Sequence, residues 1–321
     1  MTQSRVLGPA TCRMCCLTAL VCLAWAGPGL AVPAAEPDAA AADKPSFLRL
    51  TRDERDHPVS LDTAIVEYGE AAGDGGQRPP LRVDLVAVVH VGSRAYYDML
   101  DRLFTDYDAV LYELVAPPNA RVPKPGRRPS GAIGTAQHGI TQVLGLEFQL
   151  DQIDYRAENF VHADLSPKEF DAAMAKRGES WWTMFTRLMR ESMARVDTGE
   201  GGGPELGIGD MFGLLFGPAA ERQVRLRRLM AEQFTDMEML TAAFGGEEGS
   251  TLITDRNTAA LGVLRHQIDK GAHRIAIFYG AGHMDDFDRR LQKDFGLQPR
   301  ETVWLEAWDL REPAAAPAAN R

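Results

Sequence analysis

Apolar residues along this chain fall into short unbroken runs separated by spaced stripes. The run Val83 to Val89 stops at His90 and turns through Val91-Gly92-Ser93. A run so rich in β-branched residues, with a glycine at its exit, predicts a strand buried on both faces. A second run, Ala109 to Tyr112, stops at Glu113. Between them Tyr97, Leu100, Leu103, Phe104 and Tyr107 recur at three- and four-residue spacing, the stripe of a helix packed on a sheet. If the two strands are parallel neighbours, His90 and Glu113 stand side by side at the carboxyl edge, where open α/β sheets bind ligands.

The same patterning extends in both directions. Val59 to Tyr68 and Leu81 to Val89 flank the Gly- and Pro-rich segment 69–80 and predict a hairpin with a long loop. Ala116 to Gly139 carries five prolines and several basic residues, which suits a substrate loop better than a packed connector. A helix is predicted from Ile140 to about Asp154. The short alternating stretch Asn159 to Asp164 predicts a strand with Phe160, His162 and Asp164 on one face. Ser166-Pro167-Lys168-Glu169 is a capping box that starts a helix over Glu169 to Lys176. Asp164 therefore ends a strand just before a helix, a third position at the carboxyl edge.

From about 179 to 245 the pattern becomes helical. Stretches at Trp181 to Val196 and about Ala219 to Leu240 are split by the Gly-rich Gly199 to Gly209, and eight of the twelve methionines lie between Met174 and Met239. Methionine-rich helices fill irregular cores or line adaptable grooves, so this insert is either ordinary core or a flexible cap over the site. Trp181 and Trp182 read as packing. The α/β order then resumes. Thr251 to Lys270 predicts a helix and Arg274 to Tyr279 a buried strand. Gly280-Ala281-Gly282-His283 turns into a helix with Asp285 and Asp286 in its first turn, where the helix dipole favours acids, and Thr302 to Trp308 predicts a last strand. The fold class is α/β: a mixed central sheet flanked by helices, with a Met-rich all-helical insert between the two α/β halves.

The amino terminus does not fit this scheme. Arg5 and Arg13 precede the apolar run Cys15 to Ala26, and small residues follow at Ala31 to Ala34. That order predicts a secretory signal peptide over residues 1–34 and a periplasmic or secreted protein with no stable membrane span after cleavage. A lipoprotein anchor at Cys22 is disfavoured by the bulky Leu20-Val21 before it. All four cysteines (Cys12, Cys15, Cys16, Cys22) lie in this segment, so the mature chain is expected to have no disulfide and no thiol nucleophile. Losing its two arginines takes the net charge from −10 to about −12, and so acidic a chain without a basic cluster argues against a nucleic-acid partner. Ala35 to Lys44 is Ala-, Pro- and Asp-rich, a linker taken to run on to residue 56. The α/β domain is placed at 57–312 and a disordered tail at 313–321.

The strand ends carry His90, Glu113 and His283, with Asp164 as a fourth candidate. Two imidazoles and a carboxylate make the His₂-carboxylate set of hydrolytic metal sites, which leaves positions open for water and substrate. Arg256, early in the helix before the last motif, could stabilise a developing oxyanion. The plainer readings are a buried Glu113–Arg256 ion pair, strand-end histidines that are merely hydrogen-bonded, and a His162 that orients Asp164 or fills the core. Gly280-Ala281-Gly282 is a weak match to a phosphate-binding turn, because the third glycine is missing.

His90 after its strand, YYDMLDRLFTDYDAVLYE, Asp255-Arg256-Asn257 and FYGAGHM together resemble the TraB/PrgY/GumN family, which includes the TIKI proteases. The likeness covers roughly Asp84 to Val115 and Thr251 to Phe295, with a weaker match at FVHADL. The family is marked by two G-x-x-H motifs, a glutamate after the second strand and an arginine, on a fold resembling the erythromycin-esterase and haem-binding ChaN-like proteins. Gly280 and His283 match the second motif. The first reads Ala87-Val88-Val89-His90, with alanine in the glycine position, and Glu113 and Arg256 match the acid and the arginine. The resemblance implies a metal-dependent, peptidase-like hydrolase acting on a peptide or protein substrate, with a divalent ion (Mn, Co or Zn) held by His90, Glu113 and His283, and with Asp164 as a supporting ligand or an acid placed behind the ligands. Glu113 could instead be the general base, with Arg256 binding the oxyanion. The alternative is a non-catalytic peptide- or haem-binding protein of the same fold, or an inactive structural relative.

Overall fold

The computed structural model describes residues 45–70, 79–117, 141–180, 183, 186, 218–235 and 249–312. The expected signal peptide and tail, most of the proline-rich loop, and nearly all of the insert apart from one helix lie outside the described residues.

In chain order the elements are strands β1 (Leu48–Arg52), β2 (Pro58–Glu70), β3 (Arg82–Val88) and β4 (Val91–Gly92), helix α1 (Arg94–Phe104), and strands β5 (Ala109–Tyr112) and β6 (Glu147–Phe148). Helix α2 (Gln149–Gln152), strand β7 (Phe160–His162), helix α3 (Pro167–Arg177) and helix α4 (Ala219–Phe234) follow. A π-turn (Thr251–Asp255) then leads directly into α5 (Arg256–Asp269), and β8 (Arg274–Gly280) passes through a 3-10 turn (Ala281–His283) into α6 (Met284–Phe295) and β9 (Leu297–Asp309).

The central sheet is mixed, as the sequence pattern predicts. Strands β3, β8, β5 and β7 are parallel and adjacent in that order, while β2 runs antiparallel to β3 and pairs with β1 and β9. The parallel strands are the apolar runs: six of the seven β8 residues and all four of β5 are buried, as strands covered on both faces must be. Helix α1 turns Tyr96, Tyr97, Leu100 and Phe104 onto the sheet, close to the expected stripe. The Tyr96 hydroxyl donates to the Ala87 carbonyl at 3.3 Å and the Tyr97 hydroxyl to the Val89 carbonyl at 2.8 Å, which pins the exit of β3 just before His90.

Three expectations need correction. His90 and Glu113 do not leave adjacent strands: β8, the more continuously apolar of the later runs, takes the place between β3 and β5. The linker does not extend to residue 56, because β1 pairs antiparallel with β2 and buries Phe47 and Leu48. Its alternating Leu-Arg-Leu-Thr-Arg is a half-buried strand too short to stand out. Nor is there one helix from 140 to 154. Gly145 takes a left-handed φ of 63° and breaks it, and Glu147–Phe148 then pairs with Val91–Gly92 before α2 begins.

The capping box forms as expected. Ser166 Oγ accepts from the Glu169 N–H at 3.3 Å, and Glu169 Oε2 accepts from the Ser166 N–H at 2.9 Å. Ser166→Ala should therefore lower stability by about 1 kcal/mol, read as a shifted urea midpoint with an unchanged slope. No loss would mean that the box adds nothing to the start of α3. Among the described residues no helix is long and apolar enough to cross a membrane.

Candidate functional site

The register of the parallel strands decides what meets at the carboxyl edge. Val88 pairs with Gly280, Phe278 with Tyr112, and Tyr112 with His162, so the four strands end nearly level. His90 follows the first, His283 the second, Glu113 the third and Asp164 the fourth. Arg256 reaches the same edge from the start of α5, where the π-turn delivers it; single wide turns of this kind recur at functional sites.

Glu113 lies at the centre. Its Oε1 accepts from Arg256 Nη2 at 2.7 Å and lies 3.5 Å from His283 Nε2, while its Oε2 accepts from the Gly280 N–H at 2.7 Å. Burial pushes the Glu113 carboxyl up, but His283, Arg256 and His90 outweigh it and hold the group well below the usual carboxylate range. Gly280 is required by close approach. A Cβ there would lie 3.3 Å from Glu113 Oε2 and 3.5 Å from His90 Nε2, in the space the two side chains share.

Each histidine is held from behind by an amide. Asn257 Nδ2 donates to the His283 carbonyl at 3.0 Å and to Asp286 Oδ2 at 2.9 Å, so its Oδ1 is the atom 2.6 Å from His283 Nδ1. That nitrogen must carry a proton, so in the neutral ring the lone pair is on Nε2, the atom facing Glu113, and in the charged ring Nε2–H points at the carboxylate. His90 has the matching arrangement, with Gln149 Oε1 2.9 Å from its Nδ1 and Gln149 Nε2 donating to the Tyr155 hydroxyl at 2.7 Å. His283 is buried and His90 exposed.

Of the two places expected for Asp164, the geometry is that of an acid behind the site, held by Arg256. Its side chain is fully buried, and both oxygens take a fork from Arg256: Nε to Oδ1 at 3.0 Å and Nη2 to Oδ2 at 2.6 Å. Oδ1 also accepts from the Leu165 N–H at 2.7 Å. Asp164 therefore orients Arg256, and the Glu113–Arg256 ion pair of the plainer reading is present as part of a three-member network. His162 does not orient Asp164. Its Nε2 donates to the Leu114 carbonyl at 2.6 Å and its ring meets Tyr112 edge-on. Tyr279 donates its hydroxyl to the Ala163 carbonyl, and burial, then Asp164 and Glu113, push that hydroxyl well above its usual range, so it remains a donor.

A cavity of about 390 Å³ adjoins these groups, with His90, Glu113, Arg256 and His283 on its wall and apolar side chains around most of the rest. Two of those side chains, Met230 and Phe234, come from α4 in the helical insert. Neither a family model, nor a curated protein, nor a solved structure matches this chain.

The site also includes residues that the sequence pattern did not single out. Gln149 had no local signal, since it lies where a longer helix was expected. Asn257 follows Arg256 directly and shares the segment that resembles the family, but its role depends on a contact 26 residues away. Among the described residues no three His, Cys, Asp or Glu side chains already form a cage that could hold a metal ion. The arrangement is two backed imidazoles beside one carboxylate.

Proposed function

We propose that this chain is a metal-dependent hydrolase of the TraB/PrgY/GumN type, secreted or periplasmic, cleaving an amide bond in a peptide or protein substrate. The observation that carries the reading is the pair of amide-backed imidazoles. Ligating histidines commonly give their second ring N–H to an oxygen acceptor, which fixes the tautomer and raises the basicity of the other nitrogen. His283 has that acceptor in Asn257 and His90 has it in Gln149. The donor set fits a borderline divalent ion such as zinc, manganese or cobalt, with His90 and Glu113 around the space at Gly280 that lacks a side chain and His283 Nε2 3.5 Å from the other Glu113 oxygen. His90, His283 and Glu113 would hold the ion, and Asp164 would act through Arg256. Bound there, the ion would lower the pKa of a water and polarise the scissile carbonyl.

The chain's own groups have separable parts. Glu113, held strongly ionised, is a weak proton acceptor at neutral pH, which favours the ligand role over that of general base. Arg256 commits Nε and Nη2 to the two acids, while the one contact of Nη1, to the Leu252 carbonyl, is 3.5 Å long. Nη1 is thus the donor left for a substrate oxygen that gains charge. In the overall reaction the water oxygen bonds to the acyl carbon, the C–N bond breaks, and the amine leaves with a proton from the water.

The test is metal content by mass spectrometry on the full chain, purified without chelator or histidine tag and reloaded with Mn²⁺, Co²⁺ or Zn²⁺. Near-stoichiometric metal is expected in the wild type, with loss in both His90→Ala and His283→Ala. No metal under any loading would overturn the reading. The alternative of a haem binder separates in the same samples, because a Soret band that survives Glu113→Gln is expected of haem and not of a hydrolase.

A further inference from the structure

We propose that the residue beside the scissile bond is uncharged and apolar, of leucine, methionine or phenylalanine size, and that its side chain fills the cavity. This rests on the hydrolase reading above and names the substrate class within it. At about 390 Å³ the cavity is near the small end of ligand pockets, roughly 300–1,000 Å³, with room for one or two side chains but not a folded segment. Away from the polar groups its wall includes Leu144, Met230, Phe234, Leu252, Ile253 and Trp308.

The polar groups on the wall are engaged with one another or reserved for the ion and the substrate oxygen. Glu113 gives one oxygen to Arg256 and the other to the Gly280 N–H, and Arg256 is forked onto Asp164. Trp308 Nε1 donates to the Val91 carbonyl at 2.6 Å, so the indole presents hydrocarbon to the cavity. A lysine or arginine side chain would lose its water among apolar groups without a partner, and so would a carboxylate seated in the apolar part of the cavity. An apolar side chain meets neither cost.

Several elements contribute to this selectivity. Leu252 and Ile253 lie in the π-turn that delivers Arg256, and Met230 and Phe234 lie one turn apart on α4, where Phe234 packs edge-on against Trp308 at 5.5 Å between ring centroids. Part of the cavity wall and the placement of the arginine are therefore set by the same short segment.

The experiment uses the metal-loaded full chain and a set of short blocked peptides that differ at one residue: Leu, Phe, Ala, Lys or Glu. Cleavage and equilibrium binding are both measured, for the wild type and for Met230→Trp, which adds bulk to the cavity wall from α4 and leaves every polar residue of the site in place. In the wild type kcat/KM for Leu or Phe should exceed that for Ala by about 10- to 200-fold, with Lys and Glu lower still. Met230→Trp should remove the Leu and Phe advantage while Ala is still cleaved, a change in preference that misfolding does not mimic. If no peptide is cleaved, the hydrolase reading fails and binding alone judges the cavity: tighter binding of the Leu and Phe peptides, lost in Met230→Trp, upholds the apolar assignment. Equal handling of all five residues overturns it, as does an unchanged preference in the variant. Tighter binding of a free fatty acid than of any peptide would overturn the assignment to a peptide side chain.

Discussion

Arg256→Met lowers the stability of the folded chain by about 3–5 kcal/mol at neutral pH, the usual cost of removing one partner from a buried ionic network. The guanidinium serves both oxygens of Asp164 and one of Glu113, whose side chains are 0% and 10% exposed. Methionine keeps the apolar stem and leaves two carboxylates on either side of a missing cation. Glu113→Gln should be milder, about 1–3 kcal/mol, since Arg256 retains its fork on Asp164 and the amide still fills the space. The sign of the pH dependence follows from the direction of the Glu113 shift. Its folded value lies below the ordinary 4.5, so its contribution is complete above that value and is lost as the pH falls through the lower, folded one. In Arg256→Met a buried carboxylate without a cation favours its protonated form, so the penalty is present at neutral pH and fades as acid is added. Urea midpoints for the two chains should therefore lie far apart at pH 7 and draw together as the pH falls below the ordinary carboxylate value of 4.5. A deficit below about 1 kcal/mol at pH 7, or one that ignores pH, would mean that the network behaves as a solvated surface pair.

The strands that carry the site were legible because each is an apolar run ending on a polar residue. Val83 to Val89, Ala109 to Tyr112 and Arg274 to Tyr279 all lie within a residue or two of the observed elements. Their spatial order was not legible. A strand–helix–strand pattern gives parallel direction and leaves the neighbour unspecified, and β8, encoded about 160 residues after Ala109, lies between the two. Pattern gave the carboxyl edge but not the partners across it. Asp164 ends its strand like the others, and what separates it from them is the fork from Arg256, a contact across 92 residues. Gln149 was hidden for a different reason: the break at Gly145 depends on a left-handed backbone, and the apolar spacing around it suits a continuous helix equally well. β1 was lost because five alternating residues beside a polar linker carry little signal until β2 is there to pair with them.

Replacing the amide behind an imidazole tests whether the site is prepared for a metal or is simply a pair of hydrogen-bonded histidines. Gln149→Leu removes the acceptor at His90 Nδ1, and metal affinity should fall by about 10- to 100-fold, the usual effect of losing such a support. Gln149→Glu should recover most of it, because a carboxylate can accept from Nδ1 and also from the Tyr155 hydroxyl, which reverses its role from acceptor to donor. Asn257→Leu should weaken binding in the same way. It should also destabilise the fold more, since Asn257 is fully buried and donates to the His283 carbonyl and Asp286. Imidazole nitrogen NMR on the metal-free chain supplies a readout that does not depend on loading. With Gln149 and Asn257 in place both rings should carry the proton on Nδ1, and each Leu variant should shift its own ring toward the other tautomer while leaving its partner alone. Unchanged tautomers together with unchanged affinity would mean that the amides are bystanders. A tautomer shift without any loss of affinity would mean that the metal, if bound, is held elsewhere. The stronger result, lower affinity restored by Glu at 149, separates chemical support from packing, because leucine and glutamate are of similar size and differ here in whether they can accept a hydrogen bond from Nδ1–H.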